Sequence, residues 1–343
     1  RLFDRWKNFD GKNILDVQKE MMAYTIDITT NIAFGYDVNT LKDEKNEIQQ
    51  HIERIFPMIN ERISAPFPLW RYFPAQKDKD LALSLNTIEN HIQEIIEHTK
   101  EKLKQNPSQK ENPANFLESL LVQQETEQNF TDKEIYGNIF TLLLAGEDTT
   151  SNSISWMIFY LMQYPAVLEK VTNEANEVLA NDLCITNYEQ LQKLKYTEAV
   201  VHEVMRIKPV TPTLFMEALE DVTIENLEIK KGQTVMMQNK VPQTDENYFE
   251  QADEFIPERW LIDKKETKTS GCPFHEKHTP DVIKVFGGGP RFCPGKLLAI
   301  QELKMCISMI AKNFTLEFTE KPETVREVFS FTMAPENLKI KAH

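Results

Sequence analysis

The sequence predicts a mainly α-helical protein with small β-sheets. Three observations predict it. Long runs through residue 207 carry apolar residues at helical spacing. Strand-like segments are short and follow those runs. Proline-rich and polar stretches punctuate the chain without any internal repeat.

The chain opens RLFDRWKNFD, helical in pattern and without a methionine. NILDVQKEMMAYTIDITTNIAFG (13–35) reads as a helix closed by Gly35, since glycine suits a left-handed C-cap. DEKNEIQQHIERIFPMINERI (43–63) reads as the next helix, and the three prolines of SAPFPLWRYFPAQ impose an irregular loop. DKDLALSLNTIENHIQEIIEHTKEKLKQ (78–105) is amphipathic, and NPSQKENPAN after it is a solvated surface loop. Thr131 with Glu134 three residues on forms a capping box that opens the longest helix, which runs to Pro165. At about 1.5 Å per residue that helix crosses a whole domain. Helices at 166–180, 188–194 and 196–207 follow, then strands in DVTIENLEI and QTVMMQN. An irregular acidic stretch leads to the loop FGGGPRFCPG (286–295), the helix KLLAIQELKMCISMIA and a C-terminal strand pair. In that helix Leu297, Ala299, Ile300, Leu303, Ile307 and Ile310 take the apolar spacing. One domain, 1–343, is expected.

A length of 343 residues with 41% hydrophobic residues supports a large core, and the formal charge of −14 excludes a general nucleic-acid binder. The four cysteines, Cys184, Cys272, Cys293 and Cys306, form no CxxC pair, which argues against a disulfide scaffold and for a reducing, cytoplasmic setting. No run within this chain reaches the roughly 18 apolar residues of a membrane span.

FGGGPRFCPG holds four of only ten glycines. A phosphate loop needs four residues between its glycine and Gly-Lys. Here five separate Gly289 from Gly295, two of them prolines without an N–H, and Leu297 rather than Ser or Thr follows Lys296. The loop instead presents Cys293 at a helix N-terminus, where backbone N–H groups and the helix dipole favour a thiolate. A nucleophile would want a histidine base, and no cysteine-protease signature surrounds it. A buried structural cysteine would need no glycine-proline cradle. A thiolate ligand to haem iron needs both: glycines to free N–H groups toward the sulfur, prolines to hold it in place.

The same ten residues resemble the haem-binding signature of the cytochrome P450 family, Phe-x-x-Gly-x-Arg-x-Cys-x-Gly, at Phe286, Gly289, Arg291, Cys293 and Gly295. AGEDTT (145–150), a polar cluster after the apolar run IFTLLLAG, resembles the family's oxygen-activation segment. EVMR (203–206), the prolines Pro209 and Pro212, and FIPERW (255–260) follow in the family's order ahead of the cysteine loop. ETVR (323–326) has the same Glu-x-x-Arg spacing outside that order.

The resemblance implies a P450-like fold lacking its N-terminal part, and haem b (iron protoporphyrin IX) held by Cys293. Around the haem it implies Phe286, Gly287, Arg291, Gly295 and Ala145. It implies that Asp148 and Thr149 deliver protons to O2, with Ala145 and Gly146 making room. A buried Glu203–Arg206–Arg259 network would support the ligand loop. Thr211, Thr213, Leu214, Phe331, Thr332 and Met333 would line an apolar substrate pocket. Glu217 stands where many members carry a propionate-binding arginine, which leaves Arg291 for that task. The implied activity is monooxygenation fed by a separate donor (ferredoxin, flavodoxin or reductase); a peroxygenase or isomerase, or an incomplete non-catalytic fragment, are the alternatives. Lys284, Arg291, Lys296 and Lys304 form a candidate basic patch for an acidic donor. Cys272, His275 and His278 lack a fourth zinc ligand and read as a polar loop. Met205, Met216, Met236 and Met237 read as core packing.

Overall fold

The computed structural model describes residues 1–9, 11–42, 47–127, 130–261 and 278–343. In chain order the elements are α1 (Leu2–Phe9), β1 (Leu15–Asp16), α2 (Val17–Phe34), α3 (Glu47–Ser64), α4 (Gln76–Gln105), α5 (Phe116–Glu127), α6 (Asp132–Gln163), α7 (Pro165–Leu179), α8 (Tyr188–Lys193) and α9 (Lys195–Ile207). There follow β2 (Thr213–Glu217), β3 (Val222–Ile224), β4 (Leu227–Ile229), β5 (Thr234–Gln238), α10 (Lys240–Gln243), α11 (Lys296–Asn313), β6 (Leu316–Phe318), β7 (Arg326–Phe329), β8 (Met333–Glu336) and β9 (Lys339–Ala342). The mainly α composition with small antiparallel sheets is the one the sequence predicts. The chain groups into two compact units, Arg1–Asn152 with Glu317–Phe331 and Glu336–His343, and Ser153–Leu316 with Thr332–Pro335.

The first unit packs α2 to α5 and the start of α6 around one apolar core that includes Ile26, Ile52, Ile88, Ile92, Leu117 and Ile139. α2 begins four residues later than its periodicity suggests. Asp16 caps it by accepting the Lys19 N–H at 3.3 Å, and Leu15 and Asp16 pair instead with Ile340 and Lys339 of β9. That partner lies at the far end of the chain, where no local pattern can announce it. α5 was not anticipated in the stretch between the linker and Thr131. Asn115 Oδ1 accepts the Glu118 N–H at 2.9 Å and the Glu118 carboxylate accepts the Ala114 N–H at 2.8 Å, a reciprocal cap that starts it. The Thr131–Glu134 capping box is present, with N–H···O distances of 3.2 and 2.8 Å.

Gly35 closes α2 at φ 64°, with its N–H on the Asn31 carbonyl. A Cβ there would lie 2.7 Å from Asn115 Nδ2. Gly35→Ala is therefore expected to lower the unfolding free energy by about 1–2 kcal/mol, the cost of a left-handed L-residue. Urea titration followed by far-ultraviolet circular dichroism measures it.

In the second unit α11 packs against α7 and α9. Leu303, Ile307 and Ile310 are buried as their spacing predicts, whereas Leu297, in the first turn, is 73% exposed. β2 and β5 form an antiparallel ribbon with Phe215 opposite Met236, and β3 and β4 form a hairpin. β2 was missed because its partner lies some twenty residues away. Of the four methionines only Met205 is buried; Met216 and Met236 lie on exposed parts of the ribbon. Their expected core role is corrected: a two-stranded ribbon has no second layer of its own to cover both faces. No described helix is long and apolar enough to cross a membrane.

Candidate active site

The cysteine loop builds itself from backbone constraints. Gly287 and Gly289 take φ 71° and 62°, conformations that cost a side-chain-bearing residue. A turn at Gly289–Arg291 follows, and the Phe292 N–H closes it on the Gly289 carbonyl at 3.1 Å. The Cys293 N–H then returns to the Phe286 carbonyl at 2.9 Å. Gly295 is the N-cap of α11, and a Cβ on it would sit 3.8 Å from Cys293 Sγ. Cys293 is a free, half-buried thiol at the head of an 18-residue helix. Arg291 beside it is exposed.

The Glu203 carboxylate gathers a buried network. It accepts from Arg206 Nε (2.9 Å) and Nη2 (2.8 Å), Arg259 Nε (3.1 Å), the Ile256 N–H (2.9 Å) and Trp260 Nε1 (2.8 Å). The guanidiniums spend their other donors on the carbonyls of Gln243, Ala252 and Glu254, and of Glu250 and Gln251. Glu203, Arg206 and Arg259 are all 0% exposed. Burial pulls the Arg259 guanidinium below its ordinary range, against the attraction of Glu203. Trp260 was not anticipated as a member; a tryptophan directly after Arg259 was its only signal.

The AGEDTT segment lies inside α6, which continues through it unbroken. Thr149 Oγ1 donates to the Ala145 carbonyl at 2.7 Å, placing both residues on one face a turn apart. Ala145 is exposed and Thr149 half-buried. Asp148 is buried on another face, its Oδ1 accepting from Asn152 Nδ2 at 3.2 Å, while Asn152 Oδ1 accepts from Gln18 Nε2 at 3.1 Å. Asp148 and Thr149 are neighbours in sequence, then, but sit in different surroundings. Gly146 was expected to leave room for O2; a Cβ there would meet Thr29 Oγ1 of α2 at 3.1 Å. The space it leaves is used for helix packing. Asn152, Gln18 and Thr29 were not read from sequence, since nothing local marks them.

Among the pocket candidates, Thr213 and Leu214 begin β2, and the Thr211 carbonyl accepts from Asn239 Nδ2 at 3.2 Å. The Met333 N–H reaches the Val210 carbonyl at 2.8 Å, and its own carbonyl accepts from Trp156 Nε1 at 2.9 Å. Thr332 is buried. Met333 thus lies beside Val210, the residue before Thr211. Phe331, in the first unit, stacks on Phe56 with centroids 5.0 Å apart. Glu217 ends β2, exposed.

Of the candidate basic patch, Lys284 and Arg291 are exposed. Lys304 is buried and paired with Glu198 at 2.7 Å, so it drops out of any surface patch: its position on α11 turns it toward α9. Cys272 and His275 lie outside the described residues, and His278 packs edge-on against Phe249 and Trp260. No cluster of three or more His, Cys, Asp or Glu side chains placed to hold a metal ion occurs among the described residues.

The cytochrome P450 family model matches residues 1–342. The chain belongs to the cytochrome P450 family. It is 24% identical over 328 residues to cytochrome P450 3A6 of Oryctolagus cuniculus, covering 91% of this chain and 61% of that protein. Cytochrome P450 4V2 of Mus musculus is 27% identical over 328 residues, covering 91% and 60%. The bifunctional cytochrome P450/NADPH–P450 reductase 2 of Bacillus subtilis is 28% identical over 349 residues, covering 99% of this chain and 31% of that protein. The chain thus spans about 60% or less of the length of these relatives.

Haem is the family's cofactor, and the residues of this P450 loop fit it. Cys293 is one soft donor held on a preformed loop, free of any disulfide. Around it Phe292 and Leu297 offer exposed apolar surface, 46% and 73%, that a flat apolar macrocycle could cover.

Proposed function

We propose that this P450 chain carries the ligand loop and proton-handling segment of a haem-thiolate monooxygenase. The enzyme would insert one atom of O2 into an apolar organic substrate and reduce the other to water, with electrons from a separate donor protein. The observation that carries this reading is Cys293, a free thiol at the head of α11 on a loop closed by its own N–H to Phe286.

Bound haem b would supply the redox and oxygen-activating chemistry. Cys293 would hold the iron, with Phe286, Gly287, Arg291 and Gly295 of the same loop against the macrocycle and Arg291 as a propionate partner. The Thr149 hydroxyl donates to the Ala145 carbonyl, and rotation of the side chain would turn its proton toward the exposed Ala145 side. Asp148 is oriented by Asn152, which Gln18 holds in turn, so its carboxylate can pass a proton from a fixed position. Ala145 shares the Thr149 face and leaves it open. Thr211, Thr213, Leu214, Phe331, Thr332 and Met333 would contact substrate. The Glu203–Arg206–Arg259 network would support the ligand loop.

The ferrous–CO absorption spectrum of the haem-loaded chain tests this. The strongly red-shifted Soret band of thiolate ligation is expected, and its loss in Cys293→Ser. A red-shifted band that survives Cys293→Ser, or a chain that takes up no haem, overturns the proposal.

A further inference from the structure

We infer that Lys296 is a positioning residue of the cysteine loop, its ammonium clamping Phe292, which directly precedes Cys293, and Phe286, whose carbonyl accepts the Cys293 N–H. The Nζ atom stands 5.6 Å from the centroid of each ring, inside the range at which a cation is attracted to an aromatic face. The backbone bond from Cys293 to the Phe286 carbonyl closes the loop on one side. Lys296 closes it on the other, through side chains alone.

Two features make the clamp more than a chance approach. Lys296 occupies the first turn of α11, where the positive end of the helix dipole disfavours a cation. A lysine placed there needs compensation, and among the described residues no carboxylate pairs with it. The two ring faces supply that compensation. Phe292 is also 46% exposed, so core burial does not fix its orientation, and the lysine does. The charge is felt beyond the loop as well. His202 on α9 is held below its ordinary value by burial first, with Glu198 opposing and Lys296 and Lys304 adding to the depression. His202 in turn stacks on Trp260, whose indole N–H binds Glu203.

The purpose assigned to the clamp, holding Cys293 ready for the iron, rests on the haem-thiolate reading; the clamp itself does not, and the test separates them. Amide hydrogen exchange of the full chain without haem is measured by mass spectrometry on peptides spanning 284–299, for wild type, Lys296→Met and Lys296→Arg. Methionine keeps the apolar stem and removes the charge. Exchange at Phe292 and Cys293 is expected to rise about three- to tenfold in Lys296→Met, the scale of one or two lost cation–π contacts, and to stay within about twofold of wild type in Lys296→Arg. In haem-loaded protein, the blue-shifted ferrous–CO form is expected to grow in Lys296→Met and to be reversed by Lys296→Arg. Unchanged exchange in Lys296→Met, or equal acceleration in both variants, overturns the clamp. Failure of the wild-type chain to take up haem, with the exchange pattern intact, removes the haem-thiolate reading and leaves the clamp standing.

Discussion

Glu203→Ala is expected to destabilise the chain by about 3–5 kcal/mol, the range for removing one partner from a buried ion pair. The carboxylate receives five N–H groups, counting two from Arg206 and one each from Arg259, Ile256 and Trp260. Without it, two guanidiniums at 0% exposure lose the carboxylate they share, and the backbone carbonyls around them carry no charge to replace it. Carbonyl dipoles satisfy N–H donors but cannot cancel two like charges in a low-dielectric site. A domain typically has only about 5–15 kcal/mol in hand, so the variant should show a sharply lowered urea midpoint and poor recovery. Glu203→Gln keeps the shape and some acceptor capacity but not the charge, and should fall between alanine and wild type. The sequence offers its own control. Glu323 and Arg326 repeat the Glu-x-x-Arg spacing on exposed backbone, and Glu323→Ala should move stability by no more than about 0.5 kcal/mol. Equal midpoints for Glu203→Ala and Glu323→Ala would rule the prediction out.

That comparison shows what a sequence can and cannot reveal. EVMR and ETVR are alike as strings, and only the order of motifs along the chain separated them. The helices were legible because their caps and periodicity are local: Gly35 and the Thr131–Glu134 box sit where they were read. β1 and β2 were not legible, since each owes its existence to a strand distant in sequence. The same division runs through the site. Cys293 stood out because glycine and proline must be spent locally to bend its loop. Asn152 and Gln18 did not, because an amide bridging two helices leaves no trace in either helix alone. Lys304 was misplaced on the surface for a related reason: a lysine stem can run inward to meet Glu198, and composition sees only its charge.

Stability should fall as pH rises from about 5 to 8, and Glu302→Gln should flatten that slope. Glu302 lies on α11 with 3% exposure, and its Oε2 is buried without a hydrogen-bond partner. Burial pushes its carboxyl up from 4.5 to about 8. The folded chain thus keeps this proton through a window in which the unfolded chain has released it. Where the native state binds more protons, raising the pH favours unfolding. The contribution is full below the unfolded value near 4.5 and is lost progressively as pH climbs to the folded value near 8. Each unit of such a shift corresponds to about 1.4 kcal/mol, so the loss across the window is on the order of several kcal/mol. Cys306, one turn along, is pushed up by its own burial first and by Glu302 second, so it stays a neutral thiol throughout. His202, held low by burial, acts in the opposite sense, losing stability as pH falls. Wild type and variant share that histidine, and their difference cancels it. Glutamine is neutral at every pH, and the variant should match wild type near pH 5 and exceed it by several kcal/mol at pH 8. Urea unfolding of both proteins at half-unit steps reads this directly. Parallel profiles would mean that Glu302 releases its proton as freely in the folded chain as in the unfolded one, and that the packing of α11 leaves water within its reach.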